Sequence, residues 1–277
     1  MTDYGTRTQR IITHIILLLF LLISVIPFYW MIVMATNTTN DIYHVPPILF
    51  IGNQLWANFS KVLQNIDFLR NFGNTLLVST IITVLVLFFC SLAGFTFAKF
   101  EFPGRNILFV ILLGTMIIPT ASSLVASFVI MADFHWIGTF LPLIVPGMVT
   151  AFGIFWIRQY SISAIHSDLI DAGRLDGCGH LRLYWSVALP ALRPALGFLG
   201  AITFINAWND FLWPLIVLND AKTYTLQVAL AQLNGVYNTD YSMVMAGTLM
   251  ATLPLIIIFF FGARQFIANI SAGALKF

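Results

Sequence analysis

Long apolar runs alternate with short polar stretches along the whole chain. Six of the runs approach or exceed the roughly 20 residues that a membrane-crossing helix needs. They are Ile11–Ala35, Asn74–Ala98, Ile107–Ile130, Trp136–Ile157, Ala195–Leu218 and Met243–Phe266. The pattern predicts an all-α membrane protein of six transmembrane helices. The third and fourth runs are separated by a few polar residues around Asp133 and His135, which predicts a tight helical hairpin. Pro119, Pro142 and Pro146 lie within or at the mouths of these runs and predict kinks or unwound turns.

The longest polar-rich interruption in the second half is Ile165–Pro194, IHSDLIDAGRLDGCGHLRLYWSVALPALRP. Ser167 or Asp168 is placed to cap a helix N-terminus. Asp168 and Asp171 suit the first turn of that helix, and Asp171 and Arg174, three apart, can pair. Leu169, Ala172, Leu175 and Cys178 recur at threes and predict a narrow apolar stripe. Gly177 and Gly179 permit a turn or a close backbone approach. His180–Val187 reads as a second short helix that Leu189-Pro190 stops, with Pro194 opening the fifth span. The charge is mixed, with Asp168, Asp171 and Asp176 beside Arg174 and Arg182. Mixed charge and central glycines suit a helix docked in a protein cleft better than one lying on lipid headgroups.

Composition agrees with the pattern. The chain of 277 residues is 59% hydrophobic and 9% charged, whereas a soluble domain carries about 25% charged residues. A net charge of +2 gives no reason to expect a nucleic-acid partner. Cys90, in an apolar run, and Cys178 do not form a disulfide framework. Arg7 and Arg10 precede the first run as in a signal peptide, but the run is too long for one and no small-residue cleavage pattern follows.

With the N-terminus in the cytoplasm, ten of the thirteen Lys and Arg residues fall on the inside and only Lys61, Arg70 and Lys222 on the outside. This bias predicts both termini and Ile165–Pro194 in the cytoplasm. It places a loop over Thr36–Phe72 outside and a second over Asn219–Tyr241, with Gln232, Asn234 and Tyr237 as candidates to touch an external partner. Pro103-Gly104 predicts a reversal between the second and third runs.

Polar groups inside a membrane are functional candidates. Asn206, Trp208, Asn209 and Asp210 lie in the fifth run, and Asn206, Asn209 and Asp210 share a helix face. Amides, a carboxylate and an aromatic ring suit a pathway for a polar solute, and they equally suit bonds to neighbouring spans. Ser122, Ser123 and Ser127 beside Pro119 are weaker candidates. The chain has no phosphate-binding G-x-x-x-x-G-K-[ST], no metal spacing among its five histidines and no G-x-S-x-G. It reads as non-catalytic.

The polar stretch resembles the EAA loop of ABC importer membrane subunits, whose pattern is Glu-Ala-Ala, three residues, Gly and, further on, Leu-Pro. Here it runs Asp171-Ala172-Gly173, Arg174-Leu175-Asp176, Gly177, and then Leu189-Pro190. Asp171 replaces the Glu and Gly173 the second Ala; Gly173 should loosen the helix by up to ~1 kcal/mol relative to Ala. Phe97–Arg105, Phe152–Phe155 through Arg158-Gln159, Trp208–Pro214 and Ser271–Lys276 all resemble the MalG-like sugar permeases, in order and at matching spacing.

The resemblance implies the type I ABC importer permease fold. Residues 1–71 would hold the first transmembrane helix and an extracellular loop. Residues 72–277 would hold a permease core of five helices, with the EAA loop at 165–194. It implies a multi-pass subunit of a bacterial or archaeal inner membrane. Its partners would be a second homologous permease, two ATPase subunits that carry ATP and Mg²⁺, and an extracellular sugar-binding protein. The chain itself would hold no cofactor. ATPase coupling would rest on Asp168, Asp171, Ala172, Arg174, Asp176, Gly177, Leu189 and Pro190, and the C-terminal tail would reach toward the ATPase. An ion-coupled secondary transporter is the alternative class. It predicts inverted repeats and embedded coupling carboxylates, and the sequence offers no repeat and one clear embedded acid, Asp210.

Overall fold

The computed structural model describes residues 7–235 and 239–274, with side chains at 8–119, 121–235 and 239–257. Tyr237 and the end of the expected tail contact, Leu275 and Lys276, lie outside the described residues. All six expected runs are helical. Among the described residues, four helical stretches are long and apolar enough to cross a membrane: Thr8–Thr36, Phe68–Lys99, Leu141–Ala164 and His180–Asn209.

The chain forms two compact units, Met1–Phe68 with Leu230–Pro254, and Leu69–Ala229 with Leu255–Phe277. In the first unit, helix α1 (Arg7–Thr36) exposes its apolar side chains along most of its length. Only its end is buried, where the last carbonyls of the helix need partners. Asn37 Nδ2 donates to Val33 O at 2.8 Å and Phe50 O at 2.9 Å. Asn58 Nδ2 donates to Ala35 O at 2.9 Å and Asn37 O at 3.0 Å. Two buried amides thus close the helix end and pin the following loop to it. The short helix α2 (Thr39–Ile42) begins with a capping box, in which Thr38 and Asp41 satisfy each other's backbone N–H groups. Asn58 belongs to α3 (Leu55–Asn65).

The second unit is built on α4 (Phe68–Lys99). Val78, Ile82, Val86 and Cys90 recur every four residues and form one buried stripe. At the end of α4, Gly104 is left-handed (φ 81°) and turns the chain as Pro103-Gly104 predicts. The third run is not one helix. It is α5 (Arg105–Thr115), a 3₁₀ turn over Thr120–Ser123, and α6 (Leu124–Asp133). Pro119 has no N–H to offer a ladder. The backbone before it tightens instead into i,i+3 bonds, Met116 to Leu113 O, Ile117 to Gly114 O and Ile118 to Thr115 O. Ser122 and Ser123 sit in this break and Ser127 in α6. The expected hairpin is present, with His135 (φ 56°) and Gly138 (φ 83°) making the turn.

The fourth run is α7 (Leu141–Gly147) and α8 (Ala151–Ala164), with Thr150 Oγ1 capping α8 by accepting from Gly153 N at 3.0 Å. Arg158 of α8 lays its guanidinium 4.1 Å from the Phe109 ring centroid. After α9 (Ser167–Leu175), α10 (His180–Leu183) leads into a π-helical turn over Tyr184–Ala188 and on into α11 (Leu189–Asn209). The expected stop at Leu189-Pro190 is therefore corrected. In the widened turn Leu189 N donates to Tyr184 O, an i,i+5 bond, and the helix continues through both prolines. The fifth run breaks instead at Asp210, whose backbone is extended (ψ 126°), and α12 (Leu212–Val217) follows. Leu192, Ala195 and Leu199 of α11, with Ala188 of the π turn before it, are buried in one core with Ile154 and Ile157 of α8. Trp156 Nε1 donates to Ala195 O at 3.1 Å. The loop before α13 (Leu226–Ala231) is tied to α4 by Asn71 and Asn74, whose amides both donate to Tyr224 O. The last helix, α14, spans Tyr241–Ala274.

Within the first unit, Asp240 gathers three donors. Lys61 Nζ lies 2.7 Å away, Thr39 Oγ1 2.6 Å and Met243 N 3.1 Å. Partial burial raises the carboxyl pKa, and the bonds from Lys61, Thr39 and Met243 outweigh it, so the pKa lies below the usual carboxylate value. A depressed pKa means that this clasp contributes its full stability above about pH 4 and loses it as pH falls through the lowered value. Lys61 is half exposed, so the ion pair is worth at most about 1 kcal/mol. Amide exchange at Met243, followed from pH 7 to pH 3, should accelerate at the acid end beyond the intrinsic rate. Asp240→Asn should flatten that dependence.

Candidate functional site

The polar stretch is anchored from beneath and open above. His166 takes the N-cap place of α9 without a side-chain bond, so neither Ser167 nor Asp168 caps it. Both lie inside the first turn, where Asp168 faces the positive end of the helix dipole. Asp171 and Arg174 do pair, Oδ1 to Nη1 at 3.3 Å, on the exposed surface. At the far end the N–H of Gly177 donates to Arg174 O at 3.0 Å and that of Cys178 to Gly173 O at 2.9 Å. This is a Schellman closure, and Gly177 holds its left-handed position at φ 75°. A Cβ there would meet nothing within 4 Å, so the glycine serves the backbone angle alone. Gly173 has a different reason. A Cβ on it would come within 2.5 Å of Leu183 Cδ2, so its absence lets α9 lie close against α10. That packing offsets the helix propensity that Gly173 lacks.

The buried side of the stretch is Ile165, Ile170, Leu183 and Tyr184, each at most 3% exposed. Tyr184 OH and Ser91 Oγ of α4 are hydrogen-bonded at 2.7 Å, both fully buried. His180 meets the Phe100 ring edge-on at 4.9 Å, and the Arg174 guanidinium lies 5.8 Å from the same ring. The expected stripe of Leu169, Ala172, Leu175 and Cys178 turns outward over its first three members, and Leu175 is 90% exposed. Leu181 and Trp185 are exposed as well, Trp185 near Phe88 of α4, and the sequence pattern does not single them out. Asp168, Asp171, Ala172, Arg174, Asp176 and Gly177 are all exposed around it, as is Pro190, while Leu189 packs on the core.

The second site is a cavity of about 710 Å³ where α7, α8, α11 and α12 meet. Pro142, Thr150, Thr203, Asn206, Asp210 and Trp213 are among the residues that line it. The broken helices make this space. Asp210 ends α11, and its carboxylate lies near the backbone N–H groups of Phe211 and Trp213 as α12 begins. Trp213 Nε1 donates to Pro142 O at 2.9 Å, which supplies one carbonyl at the start of α7 with a partner. Asn206 and Asp210 reach the cavity together with Thr203. Trp208 and Asn209 do not line it. Trp208 is buried completely, with Phe72 and Phe204 at 5.4 and 5.6 Å. Asn209 bonds to Ile205 O and to Gln227. The aromatic lining is Phe152 and Trp213, the latter three residues past the break at Asp210 and out of register with the face that the sequence pattern defines. Among the described residues, no group of three metal-ligating side chains forms.

Over residues 90–270 the chain matches the family described as "Binding-protein-dependent transport system inner membrane component". It is 36% identical over 205 residues to the "Arabinooligosaccharides transport system permease protein AraQ" of Bacillus subtilis (strain 168), covering 74% of this chain and 73% of that protein. It is 32% identical over 276 residues to the "Lactose transport system permease protein LacG" of Rhizobium radiobacter, covering 100% of both. It is 26% identical over 272 residues to the "sn-glycerol-3-phosphate transport system permease protein UgpE" of Yersinia enterocolitica, covering 95% and 96%. A chain of the crystal structure of "a bacterial ABC transporter involved in the import of the acidic polysaccharide alginate" superposes with a TM-score of 0.81 at 21% identity, covering 95% of this chain and 99% of that one. The fold is that of an ABC importer permease. The chain belongs to the family of inner membrane components of binding-protein-dependent transport systems, which are transport permeases and not catalysts.

Removing the Tyr184 hydroxyl should show what the anchor contributes. Tyr184→Phe leaves Ser91 with only its local bond to Phe88 O and should cost about 1 kcal/mol, read as a lower melting temperature of the detergent-solubilised protein. Ser91→Ala combined with Tyr184→Phe should cost less than the sum of the two.

Proposed function

We propose that this chain is one of two membrane subunits of an ATP-driven, binding-protein-dependent sugar importer. It forms half of the translocation pathway and couples that pathway to a cytoplasmic ATPase. The observation that carries the reading is the anchored α9–α10 segment, rigid beneath and apolar above, with Leu175 almost wholly exposed at its tip. An exposed apolar group ringed by Asp168, Asp171, Arg174 and Asp176 suits a cleft in a soluble partner.

In this reading the EAA-like segment, with Asp171, Ala172, Gly177, Leu189 and Pro190 in its pattern, is the coupling element. It sits in the cytoplasm together with both termini, consistent with the Lys and Arg bias. Residues 72–277 form the permease core, after a first helix and external loop at 1–71. A second homologous permease completes the pathway, two ATPase subunits bind ATP and Mg²⁺, and an extracellular sugar-binding protein delivers the solute. The membrane is the inner membrane of a bacterium or archaeon. Arabinooligosaccharide and lactose in the names of two relatives support the sugar class.

The mechanism follows from connectivity. Closure of the ATP-bound ATPase pair displaces α9. The Tyr184–Ser91 bond carries that displacement to α4, and the unbroken helix through the π turn carries it into α11. From Leu189 to Asp210 that helix is about 30 Å long at 1.5 Å per residue, so its far end moves the cavity wall that bears Asn206 and Asp210. Movement of the two permease halves against each other then exposes the cavity to one side or the other.

Leu175→Asp tests the docking surface without touching the core. Uptake driven by ATP should fall at least about tenfold and the ATPase should no longer co-purify, while the melting temperature stays unchanged. Gly177→Asp should also abolish uptake. The reading fails if the wild-type protein, expressed with its neighbouring subunits, never retains an ATPase, as an ion-coupled transporter would not. It also fails if both variants transport normally.

A further inference from the structure

The cavity at the end of α11 carries one formal charge. Among the described residues, Asp210 is the sole ionisable side chain on its lining, with no Lys, Arg or His beside it. Its carboxylate has no cation for a partner among them and lies near the backbone N–H groups of Trp213 and Phe211. The remaining hydrogen-bonding groups are uncharged. Thr203 and Asn206 precede Asp210 at intervals of three and four on one face of α11, and Thr150 faces them from the start of α8. The indole N–H of Trp213 is committed to Pro142 O, so that ring offers the cavity its apolar surface. Ile82, Phe152 and Leu199 complete the apolar part of the wall. Walls of low polarisability strengthen the field of a lone charge and repel solutes of the same sign.

We propose that Asp210 makes this wall a charge filter, which passes neutral, hydroxyl-rich solutes and disfavours those bearing a carboxylate or phosphate. The inference rests on the reading of this cavity as part of the translocation pathway. A carboxylate beside two backbone N–H groups still has lone pairs for the hydroxyl groups of a neutral glycoside. The same lone pairs offer an anion nothing but repulsion. The relatives are named for solutes of both kinds, neutral oligosaccharides and an anionic glycerol phosphate. The lining of this chain fits the first kind.

Thiol labelling tests the filter without knowledge of the natural solute. Thr203→Cys is introduced in the assembled importer. It is then reacted with a cationic reagent, 2-(trimethylammonium)ethyl methanethiosulfonate, and with an anionic one, 2-sulfonatoethyl methanethiosulfonate. Mass spectrometry of the peptide containing position 203 gives each rate, and each is normalised to the rate of the same reagent with free cysteine. The cation should react about tenfold faster than the anion after normalisation, the scale expected for like and unlike charges a few ångströms apart in a partly desolvated site. Asp210→Asn, which keeps the size and the hydrogen-bonding capacity of the side chain, should bring the ratio close to one. An anion that reacts as fast as the cation, a ratio that Asp210→Asn leaves unchanged, or a position 203 that no reagent reaches would each overturn the filter. The pathway reading is judged separately: full labelling at position 203 that leaves ATP-driven uptake intact defeats it, whatever the charge ratio.

Discussion

A backbone carbonyl that loses its helical donor inside a membrane has no water to turn to, and this chain places prolines in or beside several of its spans. The fold follows from how each case is met. At Pro119 the helix gives way to tight i,i+3 turns and restarts as α6. At Pro142 a tryptophan from another element supplies the donor. Ahead of Pro190 the helix widens by one residue in a π turn over Tyr184–Ala188, and it runs on as an α-helix through Pro190 and Pro194. The first solution makes a break, the second draws α12 against α7 beside a cavity, and the third makes a continuous rod from the α10 segment to that cavity.

The stiffness of that rod depends on its buried end. Tyr184 lies inside the widened turn, with its hydroxyl on Ser91 and its ring near Phe95. Ile170 and Leu183 pack beneath it, with Gly173 allowing the close approach. Leu169, Leu175, Leu181 and Trp185 are left exposed, Trp185 with only one side of its ring near Phe88. One segment thus has a face that is finished by its own chain and a face that is not.

The six runs were legible because a membrane helix is written in composition over about 20 residues, and composition needs no partner to be read. Gly177 was legible too, since a lone glycine after a polar helical turn marks its end. The breaks were not. The apolar pattern passes through Pro119 without changing period, and a π turn at Tyr184–Ala188 shifts the register by a single residue that no periodicity reveals. The bond between Ser91 and Tyr184 joins positions 93 residues apart and leaves no local trace. Trp208 looked like a pathway aromatic because it neighbours Asn206 and Asp210 in sequence. Its ring turns to Phe72 and Phe204, and Trp213, beyond the helix break, reaches the cavity instead.

The nearly bare Leu175 also has a cost outside transport. An exposed leucine on a segment that also exposes Leu169 and Leu181 is a sticky surface until something covers it. The same residues that suit a partner's cleft would, on an orphaned copy, promote self-association or mark the chain for quality control. The solubility of this subunit therefore depends on being made in step with what covers that surface, as well as on its own packing.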